Sequence, residues 1–269
     1  MKKIVCNFDE DIITRLKEEN ERMVYKSEFT FLKEHKGWRS GKLHMVIGVA
    51  GGGKSTLVRS ILSDLFYNAI TFSDVLLWLS EEVASDVEVQ LSRCCKSLNS
   101  NTLHIFSELD ESSSRISRMH LEEYVRSIKP SLFIIDNITT SQLYEGLAPE
   151  GQLSFVKFLK NLSASTGVPF LLIAHTGADL TENTNRIVNM NDIRGTKNVV
   201  NLVEYLYILQ RFKIPSGFFP TVRIAKSRGH VVKNDLHKLN FDEGSISYPK
   251  SIRIPFEEFK EAFKSRYTL

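Results

Sequence analysis

An α/β fold with a mostly parallel central sheet, flanking helices and antiparallel strands toward the C-terminus is predicted by three features of this chain. Short runs that are apolar throughout recur at LHMVIG (43–48), VLLWLS (75–80), TLHIF (102–106), LFIID (132–136), PFLLIAH (169–175) and YLYILQ (205–210). Between them lie segments whose apolar residues repeat at helical spacing. Strands apolar on both sides belong in a parallel sheet covered on both faces. After residue 210 the pattern changes to TVRIAK, HKLNF and SISY, which predicts antiparallel strands finishing the sheet.

Each element follows in order. Residues 8 to 36 are charged and helix-prone, so residues 1–36 are assigned to a helical N-terminal extension. Gly37, Trp38, Arg39, Ser40 and Gly41 form a turn into the strand 43–48, where the core (37–250) begins in earnest. Next comes a helix with Leu57, Val58, Ile61, Leu62, Leu65 and Phe66 on one stripe. Further helices fit 82–98 (Val83, Val87, Leu91, Cys94, Leu98), 114–129, ended by Pro130, and 151–164. A last helix around 256–266 dominates the C-terminal segment 251–269.

Composition narrows the classes. A chain of 269 residues with 42% hydrophobic content can bury one large core. Its net charge of +3 is too small to announce a polyanion partner by itself. The three cysteines, with Cys94 and Cys95 adjacent, give neither a disulfide framework nor a zinc spacing. In MKKIVCNFDED acids arrive before any apolar run, and no segment approaches a membrane span. The expected location is the cytoplasm, without membrane contact.

The stretch GVAGGGKST joins the first strand to the first amphipathic helix. Gly48, Gly53, Lys54 and Ser55 complete the pattern GxxxxGKS, whose backbone amides wrap phosphate oxygens at a helix N-terminus. Gly51, Gly52 and Thr56 belong to the same cradle. Lys54 is expected on the β and γ phosphates and the Ser55 hydroxyl on magnesium, so the cofactors are ATP and Mg2+. Asp136 closes the apolar strand LFIID, where it either holds magnesium through water or serves only as a turn former. The second strand ends in Ser80, Glu81 and Glu82, and a carboxylate there, expected beside the first strand, suits the deprotonation of an attacking water. Either glutamate fits, Glu81 being nearer the strand end, or the two are only the acidic first turn of the following helix. His175, closing PFLLIAH, is either a γ-phosphate contact or a satisfied structural group.

The order GWRSGKLHMVIGVAGGGKST, LLWLSEE, EEYVRSIKPSLFIIDN, FLKNLSASTGVPFLLIAHTG, NDIRGTKNVVNLVEYLYILQR, then RIAKSRGH with HKLNFDE, resembles the RecA-like P-loop NTPase core of DnaB-like replicative helicases. It covers about Gly37 to Tyr248. It is also similar to the hexameric helicases typified by plasmid RepA and, more loosely, to KaiC-like ATPases. The histidine of IAHTG and the segment IRGTKN lean toward the RepA type. This resemblance implies that His175 senses the γ phosphate and that Lys226 and Arg228 act across a subunit boundary. It implies a homo-oligomer, a hexameric ring that hydrolyses ATP to move on single-stranded DNA, with replication or loading proteins as further partners. The chain departs from full-length DnaB proteins in having only some 36 residues before the core, a segment expected to pack on the adjacent subunit. The loops expected to face a channel, 138–152 and 177–193, are also poor in positive charge: the first has Glu145 and Glu150 and no Lys or Arg, the second only Arg186. Strand-tracking proteins offer basic grooves, so a remodelling or regulatory ATPase acting on a protein is the alternative. Tyr144, Arg194 and Lys197 are candidate DNA contacts or, equally, solvated loop residues.

Overall fold

In the computed structural model the apolar runs become the strands of one sheet. The structure describes residues 27, 29–34, 37–68, 74–94, 103–110, 116–176, 187–188, 197–214, 217–229, 231–239 and 251–264. Most of the N-terminal extension, the loop 177–193 apart from residues 187 and 188, Arg186, Arg194 and the strand SISY lie outside them. The elements are α1 (Thr30–Lys33), β1 (Leu43–Gly48), α2 (Lys54–Asn68), β2 (Val75–Leu79), α3 (Ala84–Cys94), β3 (Leu103–Ser107), α4 (Arg118–Ile128), β4 (Leu132–Asp136), α5 (Pro149–Thr166), β5 (Phe170–His175), α6 (Lys197–Leu202), β6 (Tyr205–Ile214), β7 (Gly217–Ser227), β8 (Leu236–Leu239), β9 (Ser251–Ile254) and α7 (Phe256–Lys264).

Strand order is β3-β2-β4-β5-β1-β6-β7-β8-β9. Pairing is parallel from β3 through β6, and antiparallel from β6 to β9. β1, β2 and β4 are buried at every position, as strands covered on both faces must be. Alternate residues feed two cores. Val46, Leu77, Ile134 and Ile173 join the stripe of α2, while Met45, Ile47, Phe133 and Leu172 meet Leu121, Val125, Phe155 and Leu159 of α4 and α5. Burying each such side chain is worth about 1.5–3 kcal/mol.

Local signals set the helix ends. Ser117 caps α4 by accepting the His120 backbone N–H at 3.3 Å, and α5 starts on Pro149 and stops at Gly167, whose φ is 74°. The turn before β1 is tied to that stop, with the Gly41 N–H donating to the Gly167 carbonyl at 2.9 Å.

Two expectations need correction. The second strand does not lie beside the first: β4 and β5 stand between β2 and β1. Parallel neighbours need crossovers, and chain order does not specify which strands a crossover skips. The segment before the last helix also begins as a strand, because Ser251–Ile254 pairs antiparallel with β8. The hairpin β6–β7 contains one irregularity. Its register passes from Leu206↔Lys226 to Tyr207↔Ile224, so Ala225 is an extra residue and β7 bulges there.

Candidate nucleotide site

The parallel strands deliver their C-terminal ends to one edge of the sheet. Gly48 is level with His175, and Leu79 with Asp136, so the turn after β1 faces the ends of β2, β4 and β5. That turn has little room for side chains. A Cβ on Gly52 would meet the Val49 carbonyl at 2.9 Å and one on Gly48 the Leu209 carbonyl at 3.0 Å. Gly51 and Gly53 hold φ of 69° and 92°, a region L side chains rarely adopt. The loop then runs into α2, so its amides converge at a helix N-terminus.

Lys54 opens α2 and is only 6% exposed. Its ammonium donates to the Val49 carbonyl at 2.8 Å and to His175 Nδ1 at 2.9 Å. Burial lowers its pKa, while Asp136 and Glu81 push it back up. An ammonium cannot accept, so His175 Nδ1 is the acceptor and the ring proton sits on Nε2. That nitrogen therefore donates to Glu81 Oε1, 3.3 Å away. The other donor to Glu81 Oε1 is the Asn137 side-chain amide at 3.1 Å.

Asp136 lies beside this chain of contacts. Burial pushes its carboxyl up to about 6; a hydrogen bond from the Ser55 side chain opposes the rise, Glu82 and Glu81 add to it, and Lys54 opposes it. Glu82 acts on Asp136 more strongly than Glu81 does, but its own partner is Arg59 of α2. Two adjacent glutamates that spacing leaves equivalent thus differ in their partners, Glu81 bonding His175 and Asn137 and Glu82 bonding Arg59. Among the described residues no three His, Cys, Asp or Glu side chains cluster as a metal site. A hydroxyl beside one carboxylate instead suits Mg2+, which keeps waters and takes further oxygens from phosphates.

A model of the AAA domain family matches residues 33–179, over half of the chain. The chain belongs to that family. It is a family of P-loop ATPases, so the loop of this AAA domain is a nucleotide-binding loop. No curated protein matches the chain.

The remaining candidates of this AAA domain lie elsewhere. Lys226 and Arg228 stand at the opposite end of the sheet, where β6 starts level with His44 of β1. Lys226 donates to the Val200 and Asn201 carbonyls at 2.9 and 3.0 Å, which caps the C-terminus of α6. Arg228 is 59% exposed and 3.9 Å from Glu204, a buried carboxylate that also pairs with Lys160. Tyr144 is no stacking platform: it is 3% exposed, its ring packs toward Phe155 at 6.3 Å, and its hydroxyl donates to Gln152 at 3.3 Å. The side chain of Lys197 lies outside what is described.

Four residues at the AAA domain's site carry no motif signal. Asn137 bonds Glu81, and Arg59 holds Glu82. Thr139 accepts the His175 backbone N–H at 3.3 Å. Arg211 of β6 donates to the Gly51 carbonyl at 3.0 Å while its guanidinium lies 4.3 Å from the Phe218 ring.

Proposed function

We propose that this AAA domain is a ring-forming, ATP-dependent motor of the replicative DNA helicase type, which hydrolyses ATP to move on single-stranded DNA. One observation carries the assembly. The cradle, the acids and His175 share one edge of the sheet, whereas Arg228 is exposed at the other end, out of reach of its own cradle. An exposed arginine so placed is suited to a neighbour's γ phosphate, and Lys226 joins it only by leaving the α6 carbonyls it caps. The order of motifs resembling DnaB-like and RepA-like helicases supplies the DNA reading.

In this mechanism Lys54 exchanges Val49 and His175 for phosphate oxygens when ATP arrives. Ser55 and Asp136 would hold magnesium, whose charge would offset that of the β and γ phosphates. Glu81, freed from the His175 contact, accepts a proton from the attacking water, and Asn137 keeps its carboxylate aimed. His175, released from Lys54, can donate to or accept from the γ phosphate and so report its loss.

A second reading has its own support. The loop 138–152 exposes Glu145 and Glu150 and buries its only tyrosine, which suits a remodelling or regulatory ATPase with a protein substrate better than a DNA-tracking groove. ATP hydrolysis measured with and without single-stranded DNA decides between them. Stimulation of tenfold or more, on the order of one RT ln 10 in the barrier, supports the motor. An unchanged rate supports the remodeller, and no hydrolysis by a folded protein removes both.

A further inference from the structure

Glu108 follows β3, is 3% exposed, and appears in none of the motifs above. Its Oε1 accepts the Trp78 indole N–H and the Ser141 hydroxyl, each at 2.6 Å, and its Oε2 accepts the Gln142 backbone N–H at 2.8 Å. All three donors are uncharged. A buried carboxylate is a costly way to hold strands that apolar packing would hold as well. What the donors share is their address.

Trp78 lies on β2, three residues before Glu81. Ser141 and Gln142 end the segment that leaves β4 at Asp136. The near end of that segment is pinned by Ser80, whose hydroxyl donates to the Asn137 carbonyl and accepts the Asn137 N–H, both at 2.9 Å. The far end is pinned by Glu108. Between the pins stand the groups that touch the site: Asn137 on Glu81, and Thr139 on the His175 backbone and on Asn137 Oδ1. We infer that Glu108 is a positioning residue, which fixes residues 137–142 at their far end and through them the orientation of Glu81 and His175. The inference rests on reading this edge of the sheet as the hydrolytic site.

Carboxylate chemistry makes the inference testable. Glutamine matches glutamate in volume but has one accepting oxygen, so in either orientation at least one of the three donors faces an NH2. Glu108→Gln should lower kcat for ATP by about 10- to 100-fold with KM within about twofold, since misplacement of the acting groups costs rate more than binding. A merely structural residue would alter thermal stability and leave that split unmoved. In nucleotide-free protein labelled with 15N-histidine, the His175 ring signals, assigned with His175→Gln, should shift, while those of His44 at the far end of the sheet stay. Trp78→Phe removes one donor and should shift His175 less, in the same direction. If Glu108→Gln does not fold, Ser141→Ala carries both measurements. A folded variant with wild-type kcat and unshifted His175 signals overturns the inference. If the wild-type protein hydrolyses no ATP, the hydrolytic reading falls, and the His175 shift alone still decides whether Glu108 orders this segment.

Discussion

Replacing Glu81 by glutamine keeps the side chain's length and leaves an oxygen for Asn137, but removes its ability to take a proton. Loss of a general base costs roughly 10²- to 10⁴-fold in rate, or about 3–5 kcal/mol of barrier. The same change should barely affect stability. The side chain is 44% exposed, and its contacts at 3.1 and 3.3 Å are open to replacement by water, so a shift within about 0.5 kcal/mol is expected. Glu82→Gln should behave the other way round. Its carboxylate pairs with Arg59 where the two side chains are 29% and 16% exposed, so losing that charge should cost about 1 kcal/mol and on the order of 3 °C in Tm, with kcat within about threefold. Phosphate release, fluorescent-nucleotide binding and thermal unfolding on both variants make the comparison. Should Glu82→Gln lose turnover while Glu81→Gln keeps it, the contacts of Glu81 do not mark the base, and the Arg59 pair is part of the chemistry.

Lys54→Ala should bind nucleotide weakly and turn none over while remaining folded; normal hydrolysis would remove the cradle assignment. Asp136→Ala should keep its fold and need much higher magnesium for activity, and a magnesium titration identical to wild type would reduce Asp136 to a turn residue. Arg228→Ala should bind nucleotide and lose on the order of 10³-fold in rate, as a missing arginine finger does. Mixed with Lys54→Ala it should regain activity above either variant, and no recovery in proven mixed assemblies would remove the trans role. Burial pushes the pKa of His237 down to about 4, so between about 6.5 and 4 the unfolded chain binds a proton that the folded chain refuses. That contribution is complete above pH 6.5 and is lost as pH falls toward 4, on the order of 3 kcal/mol in all. His237→Gln should flatten the acid decline of Tm across that window, and an unchanged slope would rule His237 out as its source.

Strands with apolar residues on both sides are legible in the chain because no other element tolerates such runs, and LHMVIG and LFIID match β1 and β4 residue for residue. The glycine loop is legible for a similar reason: its four glycines meet a steric limit that is visible at Gly52 and Gly53. The difference in partners between Glu81 and Glu82 is not, because it depends on Arg59 and Asn137, brought together by a strand order that skips neighbours. The burial of Tyr144 is not legible either, since a lone aromatic in an aperiodic loop has no pattern to say which way it points. The short helix Lys197–Leu202 escaped for lack of length, having fewer than two turns in which a period could appear.

The bulge at Ala225 has a consequence for how the cations after it should be compared between chains. Before it, Val222 and Ile224 face the layer of α2; after it, Lys226 reaches the carbonyls of α6 on the other side. Side chains on a strand alternate, so in an unbulged strand of the same length Lys226 would keep the parity of Ile224 and point toward α2; the bulge at Ala225 returns it to the side of its partner Leu206. The letters K, S and R therefore carry the chemistry of this segment, and the bulge before them carries its direction. Two chains that share the tripeptide and the length of β7 but differ in whether it bulges would present the lysine to opposite sides of the sheet, whereas a chain lacking both Ala225 and the bulge would present it to the same side. An ungapped alignment would equate the first pair although they never occupy the same space, and a gap opposite Ala225 is what superposes the second.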